Sequence, residues 1–498
     1  MSPRTAPPPA PRLLPLAVPL FTEMALAIGM GLVGTMLAAR LGDAHGAAFA
    51  LCSQVLAMLF VFFRIVGAGV SVVVAQALGG NRRDEADRAA RATWGASSWI
   101  GGICLLLAAA LAAPMLRGLN APPEVLPLAV PLLQMMAPAV LLDAWNTTAA
   151  SVLRAHLHSR PTMVVTVTMQ LIHLALAVPL MGGAFGWPGL GLAGYAIALL
   201  IARSCGLAMF LQAWQQRLAL LPRGADWWRW QRHTLGPVLH IGLPGAAENI
   251  AWRSAFVFSI SVVGKMGTEA LATHAYTMQI IHLILLFAVT LGLSAEIMVG
   301  HLVGAGRLHD AHRLVRRLLG RGLLVAAAVS LAVALAGRWL MGWFTADPQI
   351  IAAGVTLLWL TIALETGRTF NLVLVNALRA AGDARYPMAA GAASFLFVMA
   401  GGSWLLGAAL GFGLVGVWIA YAADEWLRGL LMWRRWAGHG WVPAARRMHR
   451  RLRAARQHRT GGPGDARQRP QAATDQAEQP PGGDTGASNP TAAEGARR

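Results

Sequence analysis

Long apolar runs recur along the chain and give the first indication of its architecture. Runs of roughly 20 residues follow one another from Leu14 to Trp433, and a helix needs about that length to cross a bilayer. They are too long for strands and lack strand alternation, so we predict helices. Twelve spans are predicted, near residues 14–39, 47–77, 94–116, 126–151, 163–183, 189–214, 238–263, 271–303, 319–344, 350–377, 387–409 and 413–433.

The loops between these spans alternate in charge. Arginines cluster in the loops after the even-numbered spans, for example Arg82 and Arg83 after the second. The loops after the odd-numbered spans carry one basic residue or none. Basic loops remain in the cytoplasm. We therefore predict a multi-pass protein of a bacterial inner membrane, with both termini cytoplasmic.

Composition agrees with a membrane protein and changes how the net charge is interpreted. The chain is 56% hydrophobic and 13% charged, with a mean hydropathy of +0.53, whereas soluble domains are about 25% charged. The net charge of +19 would suit nucleic acid, but the tail after Trp433 alone holds 13 arginines against five acidic residues. Most of the remaining excess lies in short loops, so no nucleic-acid partner is predicted. Cys52, Cys104 and Cys205 lie inside apolar runs without metal-ligand spacing.

An internal repeat decides the predicted fold. Polar, glycine and proline residues match at a constant offset of 225 positions, as with Pro19 and Pro244, Glu23 and Glu248, Gln54 and Gln279, Gly79 and Gly304, Asn146 and Asn371, and Arg154 and Arg379. Each half holds six spans, so both halves enter the membrane with the same polarity.

We predict an all-α polytopic membrane protein with twelve transmembrane helices. They form two parallel six-helix bundles, related by a pseudo-two-fold axis along the membrane normal. The predicted parts are a cytoplasmic N-terminal segment (1–12), an N-terminal bundle (13–214), a cytoplasmic linker (215–237), a C-terminal bundle (238–435) and a tail that is first basic and then disordered (436–498). Such an arrangement favours alternating access through a central cavity.

Ionisable side chains within the spans are the candidates for transport chemistry, because burying a charge in a bilayer is costly. Glu23 and Glu248 each follow a proline by four residues near the start of a half. We interpret them as candidates to bind a proton or cation, although a structural carboxylate bonded to a neighbouring helix is the alternative. Asp424 and Glu425 in the last span are further coupling candidates.

Other polar residues within the spans are candidates to line the cavity. Arg428 lies three residues after Glu425, and Arg368 three after Glu365, spacings that also suit purely structural ion pairs. The predicted cavity residues are Gln54, Asn146, Arg203, Asn249, Arg253, Tyr276, Gln279, Arg368, Asn371 and Arg428.

Sequence motifs exclude several kinds of chemistry. The chain has no zinc-protease, Walker A or nucleophile-elbow motif and no metal-binding cluster of Cys and His. We predict neither an enzyme nor an ATP-driven pump, and no cofactor. A proton or sodium gradient remains as the energy source.

Several segments together resemble the multidrug and toxic compound extrusion (MATE) family. They are Gly242–Asn249, Glu269–His274, Val299–Gly306, Leu378–Asp383 and Gly413–Trp418. The resemblance covers about residues 13–435. It implies export of small organic compounds, often cations, in exchange for protons or sodium ions, by a protein that we expect to be monomeric.

The chain departs from the family pattern at three positions. Many members have an aspartate in the first helix, where this chain has Gly34. The NorM-like branch has acids where this chain has Trp252 and Arg368. The resemblance therefore points to a branch outside the NorM-like one, using Glu248 and the Asp424–Arg428 group with Glu23 nearby. It leaves the coupling ion and the charge of the substrate open.

A second class of function is a flippase for a lipid-linked precursor, since such exporters also have paired helical halves. It would need a large basic cavity with a lateral opening, and the internal carboxylates argue against it.

Overall fold

The computed structural model describes residues 12–119, 121–183 and 188–447. Twelve long helices, α1 to α12 in chain order, account for most of these residues. Their bounds are Leu14–Ala39, Asp43–Gly79, Arg83–Ala110, Leu126–Ala155, Ser159–Gly182, Leu192–Leu218, Arg232–Gly264, Thr268–Gly304, Leu308–Leu335, Pro348–Ala380, Arg385–Ala409 and Gly413–Ala437. The described ranges hold no strand, and the predicted all-α fold is confirmed.

Ten of the helices in the described ranges are long and apolar enough to span a membrane. The other two long ones are α7 and α12, which contain Glu248 and the Asp424–Arg428 group respectively. Glu248 and the Asp424–Arg428 group thus lie on the two long helices whose composition is least typical of a span.

The predicted bounds of α3 and α9 were wrong at both ends. The helices begin at Arg83 and Leu308 instead of residues 94 and 319, because their first turns are charged and lie outside the apolar runs. They end at Ala110 and Leu335, and short helices, Ala112–Gly118 and Gly337–Met341, follow each bend. The matched bends follow the 225-residue repeat.

The two halves use equivalent helices as their centres. In the first half, α4 packs against α2, α3 and α6; in the second, α10 packs against α8, α9 and α12. Helix α10 begins at Pro348, whose fixed backbone suits a first turn. The Asp347 carboxylate caps it by accepting hydrogen bonds from the backbone N–H groups of Gln349 and Ile350.

Two glycines allow α2 and α8 to meet across the halves. A Cβ atom added to Gly79 would collide with the carbonyl oxygen of His301, and one added to Gly304 would collide with that of Gln76. Both pairs follow the 225-residue repeat, so the crossing is symmetric. Small residues let helix backbones approach this closely in membranes. The contact joins the helix ends that lead into two arginine-rich loops.

Several described residues lie in segments predicted outside the bundles. A short 3₁₀ helix, Gly224–Trp227, lies in the linker. Trp436 and Trp441 are buried and stacked at 4.4 Å between ring centres, so the chain packs for some residues beyond α12. The N-terminal residues 1–11 and the part of the predicted tail from residue 448 onward lie outside the described residues.

Replacing Gly304 with alanine is expected to lower the melting temperature of the detergent-solubilised protein. The added methyl group pushes α8 away from α2, and overpacking of this kind costs about 1–3 kcal/mol. Gly320→Ala on α9 is the matched control, since a Cβ there meets nothing within 4 Å, and it should leave the melting temperature unchanged or slightly raised. Equal melting temperatures for the two variants would contradict the close crossing.

Candidate functional site

Two buried carboxylate–arginine pairs occupy equivalent places in the two halves. Glu23 of α1 accepts a hydrogen bond from Arg154 of α4, with 2.8 Å between Oε2 and Nη1. Glu248 of α7 accepts one from Arg379 of α10, with 2.6 Å between Oε2 and Nη2. The partners are 131 residues apart in both pairs, and the pairs are 225 residues apart. The repeat therefore extends to a specific contact between side chains.

The local sequence places both glutamates one helical turn after a proline. Pro19 and Pro244 lie inside α1 and α7. Each proline lacks an N–H group, so it leaves the carbonyl four residues earlier without its usual helical partner. The carboxylate lies on the same face, one turn further on. A helix weakened next to its charged residue can bend at this point.

Burial makes each arginine necessary to its glutamate. Glu23 and Glu248 are 7% and 8% exposed, and an isolated charge in such surroundings is strongly unfavourable. Within the described residues, Oε1 of Glu23 is buried without a hydrogen-bond partner. That oxygen is in a position to accept a proton or a new hydrogen-bond donor.

The sequence predicts both glutamates as functional candidates but does not identify their arginine partners. In the sequence, Arg154 and Arg379 stand out only as members of the 225-residue repeat. The signal was present, because a repeat that keeps both an acid and an arginine in register indicates a conserved contact between them. Separation by 131 residues hid it.

A second pair of equivalent contacts joins the two halves. Gln76 of α2 donates from Nε2 to the carbonyl oxygen of Ala380, at 2.5 Å. His301 of α8 lies at 2.8 Å, through Nε2, from the carbonyl oxygen of Ala155, so this nitrogen carries the hydrogen. Gln76 and His301 are repeat equivalents, as are Ala155 and Ala380. We call these two hydrogen bonds the latch.

The latch and the ion pairs use consecutive residues. Arg154 and Ala155 end α4, and Arg379 and Ala380 end α10. Each of these helix ends is thus held by a glutamate of its own half and by a side chain of the other half. Burial lowers the pKa of the neighbouring His156, beyond the end of α4, to about 4, so it is neutral near pH 7 and adds no charge beside the latch.

A larger polar network lies between α10 and α12. Arg428 pairs with Asp424 at 2.7 Å and with Glu425 at 2.8 Å. Arg368 bonds to Glu365 and also reaches Glu425. Glu425 further accepts a hydrogen bond from Asn371 at 2.9 Å, and Asp424 one from Ser394 at 2.6 Å. The suggested pairs within one helix exist, but bonds between the helices join them into one network.

The first half holds a smaller counterpart. Arg203 of α6 pairs with Asp143 of α4 at 2.7 Å, and Asn146 donates to the backbone carbonyl of Arg203 at 3.1 Å. Arg203 is equivalent to Arg428, but Asp143 is equivalent to Arg368. The charge at that position is therefore reversed between the halves. Asp143 was missed from sequence, although the repeat would have aligned it with Arg368.

The remaining predicted cavity residues lie apart from these networks. Arg253 donates from Nε to Oδ1 of Asn249 at 3.3 Å. Tyr276 stacks on Phe344 with ring centres 5.3 Å apart. Gln54 and Gln279 are both exposed, at equivalent positions. Their place in a substrate cavity stays a prediction.

The structure gives a physical reason for the missing aspartate in α1. A Cβ atom at Gly34 would lie 2.7 Å from the Phe49 ring and 2.9 Å from the Tyr195 hydroxyl. These two rings pack edge to face with centres 4.8 Å apart. The space for a carboxylate at this position is filled, and the acids that pair with arginines of other helices in the first half are Glu23 and Asp143. Within the described residues, no cluster of three His, Cys, Asp or Glu residues could hold a metal ion.

Comparison with known proteins identifies the group to which these features belong. A family model described as MatE matches the chain twice, over residues 19–178 and 244–404. The two matches start 225 residues apart, in agreement with the repeat.

Similar proteins include YisQ, an uncharacterized transporter of Bacillus subtilis, which is 32% identical over 86% of this chain and 94% of its own length. A probable multidrug resistance protein NorM of Bradyrhizobium diazoefficiens is 27% identical over 84% and 92%. The higher identity to YisQ agrees with a place outside the NorM-like branch. The comparisons give no support to the flippase alternative.

Solved structures share the fold. An outward-facing multidrug resistance MATE family transporter of the MOP superfamily superposes with a TM-score of 0.76 at 16% identity, covering 89% of this chain and 96% of that one. A MOP superfamily transporter from Pyrococcus furiosus, described as having a binding pocket of reverse polarity, gives 0.77 at 17% identity over 87% and 96%.

Arg379→Gln is expected to destabilise the protein by about 3 kcal/mol, because it leaves the Glu248 carboxylate buried without its partner. The double variant Glu248→Gln/Arg379→Gln should recover part of that loss, since neither buried charge remains. The free energies of unfolding of the wild type, both single variants and the double variant in detergent give the coupling energy.

Arg253→Gln on α7 is the control, because the Arg253 side chain bonds only to a neutral amide within the described residues. If Arg379→Gln is no more destabilising than Arg253→Gln, the Glu248–Arg379 pair does not hold the helices together.

Proposed function

The chain belongs to the MatE family of membrane transporters, and we propose that it exports drug-like or metabolite compounds in exchange for protons. The observation that carries this proposal is the equivalent pair of buried glutamate–arginine contacts, each placed at a helix end that the other half holds. We take residues 13–214 and 238–435 as the two moving bundles and residues 215–237 as their linker. The protein works as a monomer in a bacterial inner membrane, with both termini in the cytoplasm.

A proton fits the two sites better than a sodium ion. A proton needs one carboxylate oxygen, and the buried Oε1 of Glu23 has no other partner among the described residues. Sodium needs several oxygen ligands, and the guanidinium groups of Arg154 and Arg379 repel a cation. Protonation removes the charge that holds each arginine, so the arginine is released when its glutamate is loaded.

Release of the arginine weakens the latch through the chain itself. Arg154 precedes Ala155, whose carbonyl is held by His301, and Arg379 precedes Ala380, whose carbonyl is held by Gln76. When the end of α4 or α10 loses its glutamate contact, it is freer to move away from the other half. The side of the membrane that holds the arginine-rich loops after the even-numbered spans is called the arginine-rich side. The halves then separate at this side, and the cavity opens to the cytoplasm.

With the basic loops in the cytoplasm, the latched structure corresponds to a state open to the outside. Protons enter from that side, bind Glu23 and Glu248, and permit the change to the inward-open state. After the protons leave to the cytoplasm, substrate binds from that side, and the loaded protein restores both ion pairs and closes the latch. Substrate leaves and protons enter in one cycle, which makes the process an exchange.

Both signs of charge are available for substrate recognition. The network of α10 and α12 contains Arg368 and Arg428 beside three carboxylates, and the first half offers the Asp143–Arg203 pair. Arginine recognises carboxylate and phosphate groups through paired hydrogen bonds. We propose that substrates carry anionic as well as cationic groups, and that Gln54, Tyr276, Asn249 and Gln279 line the same cavity.

Discharge of a pH gradient in everted membrane vesicles tests this proposal. Compounds of cationic, anionic and zwitterionic type are added to energised vesicles without sodium, and a transported compound discharges the gradient in wild type. Glu248→Gln should reduce that discharge at least tenfold, because it removes a proton-binding carboxylate.

Glu269→Gln is the matched control, since Glu269 lies exposed in the first turn of α8, and it should retain the wild-type rate. Equal rates in both variants would exclude Glu248 from coupling. Compound-dependent movement of radioactive sodium across the vesicle membrane, without discharge of the pH gradient, would replace the proton by sodium as the coupling ion.

A further inference from the structure

A basic cavity lies outside the networks described above, among helix ends on the arginine-rich side. Its volume is about 440 Å³, within the range of small-ligand sites. The start of α7, the turn between α10 and α11, the end of α12 and the segment after α12 enclose it. We propose that it binds the phosphate headgroup of an anionic phospholipid and thereby stabilises the latched state.

The charges of the lining favour an anion. Arg385, Arg435 and Arg447 line the cavity together with one carboxylate, Asp383. Asp383 forms an ion pair with Arg435, with 2.9 Å between Oδ2 and Nε. The same guanidinium group lies over the Tyr386 ring, 4.9 Å from the ring centre. Arg385 and Arg447 have no ion pair within the described part of the chain. Two guanidinium groups are thus available for a phosphate, which they bind through several hydrogen bonds.

The position of the cavity favours a lipid over a free anion. It is formed where α7, α10, α11 and α12 reach the surface, and lipid headgroups surround the ends of spanning helices. Trp228 and Trp230, just before α7, are 61% and 43% exposed, as expected for tryptophans at the headgroup level. Basic pockets between spanning helices on the cytoplasmic side bind anionic headgroups.

The cavity also adjoins the latch. Gly382 and Asp383 in its lining follow Ala380, whose carbonyl accepts from Gln76. His240 in the lining lies on α7, two turns before Glu248. A headgroup bridging Arg385 and Arg447 ties the turn after α10 to the segment after α12. It therefore restrains the helix end that must move when the latch opens.

Binding is measured on the full-length protein in detergent, without transport, so it is independent of the proposed exchange. Short-chain phosphatidylglycerol, short-chain phosphatidylcholine and inorganic phosphate are titrated separately, and the melting temperature is followed by tryptophan fluorescence. Phosphatidylglycerol should raise the melting temperature of wild type with saturation. Arg385→Gln/Arg447→Gln should weaken its apparent affinity roughly tenfold or more, since each basic residue near a membrane surface adds attraction to anionic lipid.

The control is Arg434→Gln/Arg446→Gln, which removes the same charge from exposed neighbours outside the cavity lining and should keep the affinity within about twofold. Equal loss in the two double variants would overturn the site in favour of general charge attraction. If phosphatidylcholine raises the melting temperature as much as phosphatidylglycerol does, the site does not select anionic lipid and the proposal is wrong. If inorganic phosphate saturates the site at the same concentration as phosphatidylglycerol or a lower one, the ligand is a free phosphate and the lipid proposal is wrong.

Discussion

A glutamate can remain charged inside a bundle of apolar helices only if an arginine reaches it, and the rest of this structure is arranged around that constraint. Glu23 and Glu248 lie one turn beyond helix prolines, and Arg154 and Arg379 end the central helices of the two halves. The backbone carbonyls at the same helix ends accept hydrogen bonds from Gln76 and His301 of the opposite half. A change of charge at a glutamate is thereby converted into a change of contact between the halves.

The two halves are alike in the contacts that hold them together and unlike in the polar networks that we propose for substrate recognition. The glycine crossing, the ion pairs and the latch acceptors follow the repeat residue by residue. The polar networks deeper in the halves do not, because Asp143 in the first half stands where Arg368 stands in the second. Closure needs two matched surfaces, whereas a substrate without symmetry is better recognised by an asymmetric cavity.

Much of the fold could be predicted from sequence, because helix length and loop charge are dictated by the bilayer. The two bundles followed from the repeat, and the acids Glu23 and Glu248 from their rarity in apolar helices. The extended starts of α3 and α9 could not be found from apolar runs, since a helix continues past the hydrocarbon into polar turns.

Contacts between distant residues were harder to predict. In the sequence, Arg154 and Arg379 look like any other arginine beside a cytoplasmic loop. Only the three-dimensional structure shows that each lies within hydrogen-bond distance of a glutamate. The filled space at Gly34 also depends on packing by Phe49 and Tyr195, which one sequence does not reveal.

The most direct test of the link between charge and latch is a distance across the arginine-rich side. Asp84 and His309 are exposed equivalent residues just beyond α2 and α8, and spin labels there, with Cys52, Cys104 and Cys205 replaced by alanine, report how far apart the halves lie. At high pH the labelled parent should show one short distance. Glu23→Gln/Glu248→Gln mimics the protonated state, so it should shift the distance distribution at that pH toward longer distances. A distribution identical to that of the labelled parent at every pH would contradict the account.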